Sequence, residues 1–159
     1  MRNYILWLVV AFTVAACNKE TKQTIAYNDA IVDAVEQADS TVRDLFSFRD
    51  FEEYPSRKEG YNKSFVSIRE TLDAIPSHDR NDSLRLVAIE LVDTYHGLVD
   101  GDYLTIYTLM HDSLYTVEDS ASVDSISAEM YAKWQIQSER FASQQKRFSR
   151  EMGMELVKD

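Results

Sequence analysis

The chain reads as an all-α protein, an up-down antiparallel four-helix bundle behind a cleaved signal peptide, and three observations predict it. Two prolines and several clusters of Asp, Ser and Asn cut residues 24–159 into four segments. Within each segment large apolar residues recur at steps of three and four, the spacing that gathers them on one face of a helix. The 4 Gly and 2 Pro of the chain are also too few for the tight turns of an all-β domain. Helices of about 20 to 35 residues joined by short loops favour antiparallel neighbours, in a bundle roughly 30 to 50 Å long.

Residues 1–16 have a composition of their own. Arg2 gives a positive start, residues 5–14 are apolar, and Ala15-Ala16 precede Cys17, the only cysteine. The apolar run is shorter than the about 20 residues of a bilayer span, and polar Asn18-Lys19-Glu20 follows at once, so the segment reads as a secretory signal. Val14-Ala15-Ala16-Cys17 resembles the bacterial lipobox, in which an aliphatic and two small residues admit the lipoprotein signal peptidase before a cysteine that carries lipid. The resemblance implies lipid attachment at Cys17 and a protein anchored to the membrane rather than spanning it. The bland alternative is an ordinary secretory signal ending at Ala16. Residues 17–23 have no large apolar side chain after the cysteine and are expected to form a flexible lipidated tether to a domain at 24–159.

The first helix is expected over residues 24–53, with Ile31, Val35, Ala38, Val42, Leu45 and Phe46 forming its stripe and Pro55-Ser56 ending it. Phe46, Phe48 and Phe51 fall within six residues at its end and cannot share one narrow stripe. A second helix over 57–75 turns Phe65, Ile68, Leu72 and Ile75 inward, and Pro76 closes it. The polar run from Ser77 to Asp82 reads as a turn with an N-cap. From there a third helix carries Leu84, Val87, Ala88, Leu91, Tyr95 and Leu98, then resumes with Tyr103, Ile106, Tyr107, Met110 and Leu114. Gly97 and Gly101 each cost about 1 kcal/mol in a helix relative to Ala, so a kink or break is expected between these halves. The fourth helix should start near Ser120 or Ser122, bury Ile126, Met130, Trp134, Phe141, Phe148 and Met152, and end at Gly153, which suits a left-handed cap.

Composition excludes several functions. With 17 Lys+Arg against 27 Asp+Glu the net charge is −10, which argues against nucleic-acid binding. A single cysteine allows neither an internal disulfide nor a thiolate metal cluster. Bundles often hold metals, but a di-metal centre needs Glu-x-x-His pairs, and none of His78, His96 and His111 follows a glutamate at that spacing. Asp79, Asn81, Ser83 and Glu90 mimic positions 1, 3, 5 and 12 of a calcium loop. The sixth position, however, is Leu84 rather than Gly, and it belongs to a helical stripe. Ser113 adjoins His111 and Asp112, yet residues one or two apart on a helix point to different faces and cannot form a triad. The glycines match no phosphate-binding loop. Carboxylate pairs such as Asp29 with Asp33, or Glu90 with Asp93, are what a solvated acidic face produces. No cofactor is implied.

Tyr95, Tyr103, Tyr107, His111 and Tyr115 stand at multiples of four in the third helix. Each step of four drifts about 40° against a 3.6-residue turn, so some of these rings should reach the surface. Tyr95, Tyr103, Tyr107 and Tyr115 are therefore the candidate partner surface, set against the plainer reading of rings packed at the bundle edge with wet hydroxyls.

With the lipobox cysteine, Tyr27-Asn28-Asp29 and Ile31-Val32, Ala88 with Glu90-Leu91 and Tyr95, and Phe148 with Met154-Glu155-Leu156, the chain resembles small surface lipoproteins of bacterial envelopes. The resemblance implies a helical bundle with an envelope address and brings no catalytic residue or cofactor with it. Asn18 stands where an aspartate favours inner-membrane retention in some bacteria, so by analogy the outer membrane is expected. The leading functional reading is a non-enzymatic, lipid-anchored protein that binds another envelope or external macromolecule through its helix faces. A homo-oligomer through the same surface is a variant of it. The alternative is a small-ligand carrier or enzyme with its site between helices, with the surroundings of Gly97 and Gly101 as the candidate place.

Overall fold

The structure, a computed structural model, describes residues 19–47 and 51–154. Residues 1–16, where a signal peptide is expected, Cys17, Phe48 and the Glu155-Leu156 motif lie outside the described residues. Four helical rods make up the domain, and no strand occurs among the described residues. The first rod is α1, Lys19–Ser47; after a 3-10 turn at Phe51–Glu53 comes α2, Tyr54–Ala74. The third rod joins α3, Ser83–Gly97, through a π turn at Leu98–Tyr103 to α4, Leu104–Met110; α5, Val117–Glu151, is the fourth. No helix among the described residues is long and apolar enough to cross a membrane.

Paired side chains fix the alternating directions. Between α1 and α5, Tyr27 meets Phe148 and Phe46 meets Tyr131. Between α2 and the third rod, Phe65 stacks on His96 and Lys58 pairs with Asp100, while Glu90 and Asp102 of that rod reach Arg140 and Lys133 of α5. The third rod packs against α1, α2 and α5, whereas α1 and α5 keep their backbones further apart and are bridged by long side chains. The predicted stripes fill the core: Ile31, Val35, Ala38, Val42, Leu45, Phe65, Leu72, Leu84, Leu91, Leu98 and Phe148 are all fully or nearly fully buried. Each such large side chain contributes about 1.5–3 kcal/mol relative to exposure.

Four expectations need correction. Lys19 to Gln23 belong to α1 rather than to a flexible tether, and Thr24 at the end of that stretch is buried and bonded to His78 at 3.1 Å. A polar first turn extends a helix whose later turns are packed, because elongation requires no further nucleation. Pro55 opens α2 instead of closing α1, since a proline in the first turn lacks only an N–H that has no helical partner there. The fourth helix begins at Val117 because Thr116 and Asp119 form a reciprocal capping box. Lastly, the third rod ends at Met110, leaving Leu114 outside any helix and outside the core.

The break expected near Gly97 and Gly101 is the π turn. Leu98, Val99 and Tyr103 of this turn are buried, and the Tyr54 hydroxyl donates to the Val99 carbonyl at 2.7 Å. Gly97 and Gly101 face open space. The chain ends its last helix as the glycine predicts: Gly153 has φ +67°, and the Met154 N–H returns to the Ser149 carbonyl at 2.8 Å.

Candidate functional site

The π turn decides what becomes of the tyrosine row. A wider turn rotates less per residue, so Tyr95 and Tyr103, which should differ by about 80° on a regular helix, both point inward and are buried. Tyr95 bonds Ser138 at 2.7 Å, and the Tyr103 ring lies 4.8 Å from that of Tyr54. Burial pushes the Tyr54 and Tyr103 hydroxyls up to about 12, and Tyr95 is raised further for the same reason. Tyr107 is half-buried between the rings of Tyr54 and His111. Of the candidate partner surface only Tyr115 is exposed, and the other three belong to the packing of the bundle.

Among the described residues, four of the eight exposed large apolar side chains gather at one end of the domain, where α4 turns into α5, while Val66, Leu86, Tyr131 and Ile136 lie elsewhere. Met110, Leu114, Tyr115 and Val117 are 39%, 78%, 46% and 83% exposed. The turn that carries them is pinned. His111 stacks on Tyr107 at 4.0 Å, and its ring nitrogens face the Tyr107 carbonyl at 2.8 Å and Glu52 at 3.1 Å. Asp112 accepts from the Leu114 N–H at 3.0 Å, and the Thr116 and Asp119 capping box holds the far side. Glu52, Asp112, Glu118 and Asp119 frame the apolar tip with negative charge.

No Lys or Arg occurs between Arg85 and Lys133, while nine Asp or Glu do. This run is the signal in the sequence that points to the tip. Periodicity hides it, because Met110 and Leu114 continue the apolar stripe of the third helix on paper.

The other residues weighed for chemistry are occupied structurally. Glu90 pairs with Arg140 on the surface of α3, Leu84 is buried, and Asn81 accepts from the Ser83 N–H, which makes the apparent calcium loop a helix start. No group of three or more His, Cys, Asp or Glu able to hold a metal occurs among the described residues. Trp134 donates its indole N–H to buried Asp39, which also holds Arg43 at 2.6 Å.

No family model matches the chain, and no curated protein or solved structure matches it either.

Proposed function

We propose that this is a non-enzymatic envelope protein, lipid-anchored through Cys17, that holds a macromolecular partner at the α4–α5 tip. The observation that carries the reading is the combination at that tip. Four exposed apolar side chains stand on a turn fixed by hydrogen bonds, inside an acidic frame. Tyr and Met are enriched at protein interfaces, and a pinned turn loses little entropy on binding. The frame selects a partner with an apolar centre and a basic rim, and binding should weaken as salt screens the rim. The outer membrane is the proposed address, with the tip at the end of the domain opposite the start of α1.

The test is a photo-crosslinking amino acid at position 115 of the full chain in intact cells. A discrete adduct that vanishes in Leu114→Ser/Val117→Ser supports the proposal. Absence of an adduct, or one indifferent to that double substitution, overturns it. Labelling with a radioactive fatty acid that persists in Cys17→Ala would separately remove the anchor.

A further inference from the structure

The bond from Trp134 to Asp39 sets the register of the seam between α1 and α5, where the two backbones stand apart. Eleven residues make three helical turns with a drift of only about 20°, so a step of eleven returns to the same face of a helix. From Asp39 that step towards the start of α1 reaches Asn28, and from Trp134 towards the end of α5 it reaches Gln145. Because the helices run in opposite directions, both steps end at one level, and Asn28 stands across the seam from Gln145. Ser149 lies one turn further along the same face of α5. The rings of Tyr27 and Phe148, 5.5 Å apart, keep the two helices in contact at this level.

All three polar side chains are removed from bulk solvent: Asn28 and Ser149 are 1% exposed and Gln145 is 6% exposed. Asn28 donates through Nδ2 to Asp29 Oδ1 at 3.1 Å, while its Oδ1 has no hydrogen-bond partner among the described residues. Gln145 Nε2 and Ser149 Oγ likewise have none among the described residues. Buried polar groups in native interiors are met by chain atoms or by ordered water, because leaving them unmet forfeits their hydration. Here the set is complementary: an acceptor on α1 faces a donor and a hydroxyl on α5. We infer that the seam holds one ordered water at this level, which donates to Asn28 Oδ1 and Ser149 Oγ and accepts from Gln145 Nε2. Three bonds are the usual complement of a buried water. Val35 and Phe141, both buried, lie between this layer and Asp39 and keep it closed on that side. The seam is thus joined directly at Trp134 and Asp39, and through a solvent bridge at Asn28 and Gln145.

The experiment is a double-mutant cycle in the full chain, solubilised in mild detergent, with Asn28→Leu and Gln145→Leu read by urea unfolding. Either change alone takes one bond from the water and leaves the remaining polar groups beside an apolar side chain, and it should lower the folding equilibrium constant about tenfold. Together the two changes make the seam apolar, so the double variant should fold at least about fivefold more favourably than the product of the single effects. Strictly multiplicative losses overturn the shared water, since groups without a common partner act independently. A crystal structure of the parent in the same detergent separates a bridge from a direct bond. Density within about 3.2 Å of both Asn28 Oδ1 and Gln145 Nε2 supports the site, whereas a direct bond between the two amides, or side chains turned to bulk solvent, overturns it. Should the leucine variants fail to fold, that structure decides alone.

Discussion

The indole Nε1–H of Trp134 donates to the carboxylate of Asp39 across 2.8 Å, joining two residues 95 positions apart. Asp39 is 1% exposed and also holds Arg43, so one carboxylate on α1 serves two donors in a seam where the α1 and α5 backbones keep their distance. Replacing Asp39 with Ala leaves the indole N–H without its acceptor and should destabilise the fold by about 3 kcal/mol. Asp39→Asn keeps an acceptor and should cost roughly half as much. Urea denaturation followed by Trp134 fluorescence measures both, and equal losses would show that a neutral acceptor contributes nothing and that the charge carries the whole effect.

Tyr54→Phe removes only the hydroxyl that meets the Val99 carbonyl inside the π turn. A buried carbonyl then loses its partner, at a cost of about 1–2 kcal/mol. Hydrogen exchange should show the loss centred on residues 98–104, and a uniform loss over the domain would contradict the pairing.

Gly153 occupies the left-handed region at φ +67°. Gly153→Ala should lower stability by about 1 kcal/mol through backbone strain alone, because a Cβ there meets nothing within 4 Å. Thermal melting of the two chains decides it.

Leu114→Ser/Val117→Ser should leave stability within about 0.5 kcal/mol of the parent, since both side chains already face water. A larger loss in chemical denaturation would mean that the tip is part of the core after all.

Stability should fall at both ends of the pH scale. The Arg85 guanidinium holds Asp82 below the usual carboxylate range, and Lys58 does the same for Asp100. With folded values depressed, their contribution is complete above the unfolded value of about 3.9 and is lost as pH falls through the folded values. Tyr54 and Tyr103 are raised to about 12 by burial, so their contribution is complete below about pH 10 and is lost as pH climbs towards 12. Tyrosinate absorbance should therefore rise in two phases, the second coinciding with loss of helical circular dichroism. A single phase near pH 10 would show the buried hydroxyls to be accessible.

The bundle was legible in the sequence wherever packing and period agree. Ile31 to Leu45 on α1, and Phe65 to Leu72 on α2, are spaced for one face and lie in the core. What the period could not show was a change in the period itself. Gly97 and Gly101 marked the place of the disturbance, but only tertiary fit, with Tyr54 reaching Val99, makes it a π turn that returns Tyr103 to the interior. Leu114 misleads for a related reason, because apolar spacing carries no information on where a helix loses its neighbours. The tip was legible in charge rather than hydropathy, through the long stretch without a basic residue.

That stretch splits α5 electrically. Its first half carries Glu118, Asp119, Asp124 and Glu129 with no cation, and its second half carries Lys133, Arg140, Lys146, Arg147 and Arg150 against only Glu139 and Glu151. A helix of 35 residues is about 50 Å long, several screening lengths at physiological salt, so the two halves do not cancel each other at a distance. The helix is thus polar along its length. Beside a negatively charged surface the charges of α5 contribute a torque that turns its acidic first half away and its basic second half towards that surface, a contribution that added salt should weaken.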